Sequence, residues 1–285
     1  MDRKAKKLAA KRVEGFSRIL ESMQTGNFQE IVWQEGRRLY RDMPWRDEPS
    51  FYNVLVSEIM LQQTQVSRVL IKFAEFMTAF PTIEYLAAAS LADVLRVWQG
   101  LGYNRRAKYL HEAAKQIILT GQPQALEGLV KIPGIGNNTA AAIMNYVYEV
   151  PTAYVETNIR TVFFHHFFAE QQDVSDKDIF SIVSSMMDRE HPREFFWALM
   201  DYGAALKAQG QGKLTISKHY KKQPPLAGSV REIRGQMIRA LSASDLTISE
   251  LRHRTTTDER FQKALDGLLH DKLVEKSGVM IHLTT

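Results

Sequence analysis

The chain has 285 residues, of which 45% are apolar, and carries a formal net charge of +5, so it is globular rather than disordered and suits a polyanionic partner. It contains no cysteine, which excludes disulfides, zinc–thiolate sites and cysteine-ligated iron–sulfur clusters. No apolar run approaches the ~18 residues of a membrane span. Met1 to Arg12 is charged, so neither a membrane anchor nor a secretory leader is expected, and the expected location is the cytoplasm.

Residues 1–26 read as a basic, helical N-terminal extension. From Phe16 to Phe76 apolar residues recur every three and four positions, the period of amphipathic helices. Within that stretch Ser57-Glu58-Ile59-Met60-Leu61-Gln62-Gln63-Thr64-Gln65-Val66 places Glu58 and Gln62 four residues apart, on one helix face among apolar neighbours. A carboxyl at the edge of such a face is desolvated, stays protonated closer to neutral pH and can serve as a general acid. A solvated surface charge is the alternative for a single helical Glu.

Ser90-x-x-Asp93 and Ser175-x-x-Asp178 are spaced as capping boxes. Arg105, Arg106 and Lys108, with His111, form a basic helix start, read either as a phosphate contact or as a solvated face. Leu129 to Ile132 reads as helix, Pro133-Gly134-Ile135-Gly136 as a tight turn, and Thr139 to Ile143 as a second helix. This is a helix-hairpin-helix, which aims backbone N–H groups at a DNA phosphate without reading base sequence. A lone Gly-x-Gly would be an ordinary turn, but Val155-Glu156-Thr157-Asn158 follows at a fixed distance with a carboxylate. The aromatic run Phe163 to Phe168 reads as core, and His165 and His166 lack metal-ligand spacing.

Residues 209–228, with glycines, lysines and Pro224-Pro225, read as a linker. Residues 229–285 form a second unit. It has a helix from Arg231 to Leu241, a capping box Thr247-x-x-Glu250, a second box Thr256-x-x-Glu259, and a hairpin from Lys272 to Leu283. That order matches a winged helix-turn-helix, whose recognition helix would run from Asp258 to Leu269 with Arg260, Gln262 and Lys263. A packing or dimerisation module is the alternative, and Asp258, Glu259 and Asp266 would repel phosphate. Period-two strands are expected only after residue 270.

These motifs together resemble the helix-hairpin-helix DNA glycosylase superfamily, and most specifically the MutY-type adenine DNA glycosylases. The run around Glu58 matches that family's active-site helix with one conservative exchange. Met43-Pro44-Trp45-Arg46, Leu101-Gly102-Tyr103 and Leu199-Met200-Asp201-Tyr202-Gly203-Ala204 also match, so the resemblance covers the glycosylase domain, residues 27–208. It implies an all-α, two-lobed fold. It implies that Glu58 protonates N7 of a flipped adenine, that Glu156 stabilises the oxocarbenium ion and that Asn158 assists. It implies DNA contacts from Gln62, Gln63 (the wedge in the duplex), Tyr103, Asn104, Arg105, Lys131, Gly134, Gly136, Asn137, Asn138 and Thr139. The hairpin carbonyls could hold a monovalent cation, as in relatives.

Five departures qualify the resemblance. The family's catalytic aspartate is Glu156 here. Asn138 stands where bifunctional relatives carry a Schiff-base lysine, so monofunctional chemistry is expected. The four cluster cysteines are missing; Lys207, Gln209 and Lys213 lie there instead, and packing around Leu206 is expected to fill the space. Asn104 replaces a tyrosine that intercalates beside 8-oxoguanine. The residues after Gly228 are too few for a MutT-like domain.

The expected function is therefore hydrolysis of adenine mispaired with guanine or 8-oxoguanine, by a nucleoid-associated monomer acting on double-stranded DNA. Excision of uracil or thymine opposite guanine, and non-catalytic binding of damaged DNA, are the alternatives.

Overall fold

A computed structural model describes residues 25–168, 174–212 and 224–285. The expected extension at 1–26 and the middle of the linker at 209–228, Lys213 included, lie almost wholly outside these residues. The described residues are mostly helical, and among them no helix is long and apolar enough to cross a membrane. Contacts divide the chain into two units, one drawn from Met1–Asp42 and Ala140–Lys221, the other from Met43–Thr139 and Lys222–Thr285.

In the first unit, α1 (Thr25–Leu39) packs on α12 (Pro192–Ala208), which also packs on α10 (Thr157–Phe167), with α11 (Asp176–Met186) beside them. Gly36 makes the α1–α12 approach, because a Cβ there would lie 2.3 Å from that of Ala198. Phe28 fills the space between α1 and α10, its ring 5.2 Å from Phe163 and 5.0 Å from Phe167. The aromatic run is thus core: Phe163, Phe164, Phe167 and Phe168 are all buried. Ser175 and Asp178 form the complete capping box at α11. Leu206 is buried in the last turns of α12.

The second unit contains α2 (Pro44–Asp47), α3 (Phe51–Leu61), α4 (Val66–Ala79), α5 (Ile83–Ala88), α6 (Leu91–Val97), α7 (Arg105–Thr120) and α8 (Leu126–Leu129). The hairpin follows α8, and α9 (Asn137–Tyr146) starts in this unit and runs into the other. The core here gathers Leu55, Ile59 and Met60 of α3 with Phe73, Phe76 and Trp98. Ser50 caps α3 and Ser90 caps α6 through side-chain bonds to backbone N–H groups.

The same unit includes α13 (Val230–Ala243), β1 (Leu246–Thr247), α14 (Ile248–Arg254), α15 (Arg260–His270), β2 (Val274–Ser277) and β3 (Met280–Leu283). The sheet order is β1-β3-β2, antiparallel throughout, with Ile281 of β3 opposite both Leu246 and Lys276. This segment is fastened to the helices before it: Arg96 donates to the carbonyl of Ser242 at 3.3 Å and Lys108 to that of Asp271 at 2.8 Å.

Two local expectations are corrected. Val130 to Ile132 is turn rather than helix, because α8 ends at Leu129 and a residue before proline, here Ile132, is pushed out of the helical region. Thr256 does not cap α15; Asp258 takes the N–H of Arg260 at 2.9 Å and the helix begins only at Arg260. The strand before residue 270, β1, has two residues and shows no period, so the longer strands are those after 270.

Candidate active site

Glu58 lies half-buried on α3, one turn before its end, among buried Leu55, Val56, Ile59 and Met60. Gln62 ends α3, and its side-chain amide donates to the carbonyl of Gly134 and to the hydroxyl of Thr139, both at 3.4 Å. The carboxyl-bearing helix is therefore tied directly to the hairpin and to the first turn of α9. Gly134 is required there twice over. Its φ is +78°, and a Cβ would lie 2.9 Å from that of Tyr109. Gly136 differs: a Cβ would meet nothing within 4 Å, and the residue is exposed beside the start of α9. Lys131, Asn137 and Asn138 are exposed on the same edge, and Thr139 is buried. The N–H groups of a helix's first turn lack intrahelical acceptors and favour an anion.

Gln63 and Tyr103 share an uncommon backbone state, with φ of +57° and +49°. Such a conformation costs free energy outside glycine and persists only when the surroundings impose it. Arg106 imposes it on both. Its Nη1 donates to the carbonyls of Ile59, Met60 and Gln62 at 2.9, 2.7 and 2.6 Å. Its Nη2 donates to Thr64 Oγ1 at 3.0 Å and to the carbonyls of Leu101 and Gly102 at 3.2 and 3.0 Å. One guanidinium thus caps the end of α3 and clamps the loop leading to Tyr103. Burial pulls its pKa down to about 10, so it stays charged at neutral pH. The sequence offered phosphate contact or a solvated face for Arg106; it is buried and does neither. His111 is buried as well, 2.9 Å from the carbonyl of Ala89. Arg105 stays exposed beside Tyr109 and Asp271, and Asn104 opens α7.

In the first unit, Glu156 is the N-cap of α10, and its Oε1 accepts from the N–H groups of Asn158 at 2.5 Å and Ile159 at 3.0 Å. Burial pushes its carboxyl pKa up, while those two N–H bonds, Lys207 and Arg160 oppose the rise. Lys207 Nζ lies 3.3 Å from Asn158 Oδ1, so a cation stands beside the pair. Asn158 also points its amide at Met200 Sδ, 4.0 Å away. Gly203 lets α12 reach this corner: a Cβ there would lie 2.2 Å from the carbonyl oxygen of Asn158. Arg106 and Lys207 are the two residues whose parts in these sites the motifs did not indicate. Only the absence of the expected cysteines drew attention to Lys207.

Breaking a purine N-glycosidic bond in DNA needs a general acid, a carboxylate to meet the developing cation and a grip on phosphate; the second unit holds Glu58 tied to the hairpin, and the first holds the buried carboxyl of Glu156. The profile of the HhH-GPD superfamily of base excision DNA repair proteins matches residues 56–184. The adenine DNA glycosylase of Mycobacterium tuberculosis (strain CDC 1551 / Oshkosh) is 33% identical over 274 residues, covering 87% of this chain and 89% of that protein. The adenine DNA glycosylase of Rattus norvegicus is 34% identical, covering 62% of this chain and 37% of its own. Among solved structures, a thermostable thymine-DNA glycosylase matches with a TM-score of 0.58 at 22% identity, covering 65% of this chain and 88% of its own. An endonuclease III in a non-covalent DNA complex matches with a TM-score of 0.55 at 14% identity, covering 86% of this chain and 99% of its own. The chain belongs to the helix-hairpin-helix superfamily of base excision DNA repair proteins, and it has that superfamily's glycosylase fold.

Proposed function

We propose that this protein is a monofunctional adenine DNA glycosylase that acts on adenine mispaired with guanine or 8-oxoguanine in double-stranded DNA. The observation that carries the reading is the link from the Glu58 helix through Gln62 to Gly134 and Thr139. It couples the proposed proton donor to the proposed phosphate grip. The relatives named adenine DNA glycosylase favour adenine as the base.

In this reading the duplex backbone is gripped by the hairpin, at Lys131, Gly134, Gly136, Asn137, Asn138 and Thr139. Gln63, Tyr103 and Asn104 stand where adenine leaves the stack, which costs a few kcal/mol. The Glu58 carboxyl gives its proton to N7. The C1′–N9 bond then breaks with its electron pair going to the base, and the charge left on the sugar faces the carboxylate of Glu156. Water adds at C1′, loses a proton and leaves an abasic site. Asn158 orients this corner. With Asn138 at the lyase position, no Schiff base forms and the strand stays intact. With no cysteine in the chain, the enzyme works without an iron–sulfur cluster. Residues 27–208 supply the chemistry, and 229–285 form a winged-helix domain, consistent with the order β1-β3-β2 around α13 to α15. The protein acts as a monomer at the nucleoid.

Incubation with duplexes carrying each mispair, followed by alkali, tests this. Alkali-dependent cleavage at adenine opposite guanine or 8-oxoguanine is expected. Release of uracil or thymine alone, or of no base, would overturn it.

A further inference from the structure

A cleft of about 850 Å³ lies in the second unit, between the loop at 99–104 and α13. Six arginines line it, Arg68, Arg105, Arg106, Arg231, Arg234 and Arg239, against two carboxylates, Glu232 and Asp271. Most of these charges are already engaged. Asp271 pairs with Arg105 and Arg234. Both terminal nitrogens of Arg106 are engaged by backbone carbonyls and Thr64, and Glu232 accepts from the N–H of Gly228 at 2.7 Å. Arg231 donates to Tyr103 Oη at 2.8 Å, with its guanidinium 5.3 Å from the centre of that ring. Arg68 and Arg239 remain. Both are exposed, and among the described residues neither has an ion-pair partner. They sit on different elements, α4 and α13, so a single small anion does not account for them; an extended chain of phosphates does.

The cleft is continuous with the hairpin. Gln62 lines it and bonds Gly134, and Tyr109 lines it and packs on the same glycine. By contrast, two of the three side chains expected to read DNA from α15 are occupied. Arg260 is held by Asp258 at 2.9 and 3.1 Å, and Gln262 by Asp266 at 2.8 Å.

We infer that this cleft is a second DNA-backbone track, in which Arg239 of α13 and Arg68 of α4 neutralise phosphates while Arg231 holds Tyr103 in position. The C-terminal segment then meets DNA through its first helix and not through α15. The inference rests on the proposed action on DNA, and the experiment separates the two.

The full chain is titrated with an undamaged duplex by fluorescence anisotropy across a salt series. Each lost phosphate contact should reduce the salt slope of log K by about 0.9. R68Q and R239Q should each lose about that much, and their combination about twice as much, with unchanged near-UV circular dichroism. K131Q, at the hairpin edge, should lose a similar increment independently. Slopes unchanged in R68Q and R239Q but reduced in K131Q would overturn the track and leave the glycosylase reading standing. A slope reduced by R260Q with K263Q, and not by R239Q, would return the contact to α15 and overturn the inference. Absence of salt-dependent binding by the unsubstituted protein would overturn both.

Discussion

Arg106 donates to the carbonyl oxygen of Gln62 at 2.6 Å, and that bond fixes the backbone that presents Gln63 at φ +57°. The same side chain reaches Thr64 on the far side of Gln63 and the carbonyls before Tyr103. R106M should therefore cost stability and wedge geometry together. Unsatisfied buried acceptors cost ~1–3 kcal/mol each, so a loss of at least ~3 kcal/mol is expected in urea denaturation. R106K should recover only part of it, because an ammonium has three donors for six acceptors. A loss below ~1 kcal/mol would show that the clamp does not hold these loops.

The two hairpin glycines should separate folding from binding. G134A places a Cβ against Tyr109 and strains a left-handed backbone, so its melting temperature should drop clearly. G136A adds a methyl in open space at the anion-facing edge, so its fold should be unaffected while duplex affinity falls. Equal melting temperatures for both variants, or undiminished affinity in G136A, would contradict the assignment.

Glu156 should set a pH dependence of stability. Burial raises its folded pKa above the ordinary 4.5. The unfolded chain then gives up its proton first as pH rises, so stability falls from about pH 4.5 upward through the folded value. E156Q lacks that loss. It should be inactive, yet more stable than the parent at neutral pH, with the difference vanishing as pH approaches 4.5. A constant difference across thermal melts at several pH values would contradict this and mean that the cap bonds to Asn158 and Ile159 cancel the effect of burial.

Much of the site was legible because its motifs are local. Glu58 to Gln62 is one helical turn, the hairpin is written in consecutive residues, and Glu156 caps the helix that carries Asn158. Arg106 was not legible, because its acceptors come from two segments, Ile59 to Thr64 and Leu101 to Gly102, and only the fold brings them to one guanidinium. The start of α15 was misread for a related reason: Thr256-x-x-Glu259 has the spacing of a box, but Asp258 competes for the first free N–H. Gly203 appeared only as a letter in a motif. Its purpose, to admit the carbonyl of Asn158, needs the packing of α12 on α10.

Lys207 occupies the region of the missing cysteines, and its charge holds the Glu156 carboxyl down against burial. K207M should therefore raise the pKa of Glu156 and move the acid limb of the excision rate to higher pH. The alkaline side of the profile should stay in place. A profile identical to that of the parent would exclude Lys207 as a tuning group.

The most direct test of the central claim is single-turnover excision of adenine from an adenine–guanine duplex by E58Q. The amide keeps the size of the side chain and removes the proton to be donated, and loss of general acid catalysis costs ~10²–10⁴ in rate. The account predicts a loss of at least ~100-fold with duplex affinity close to that of the parent. A rate within ~10-fold of the parent would mean that Glu58 does not protonate the leaving base and would contradict the account.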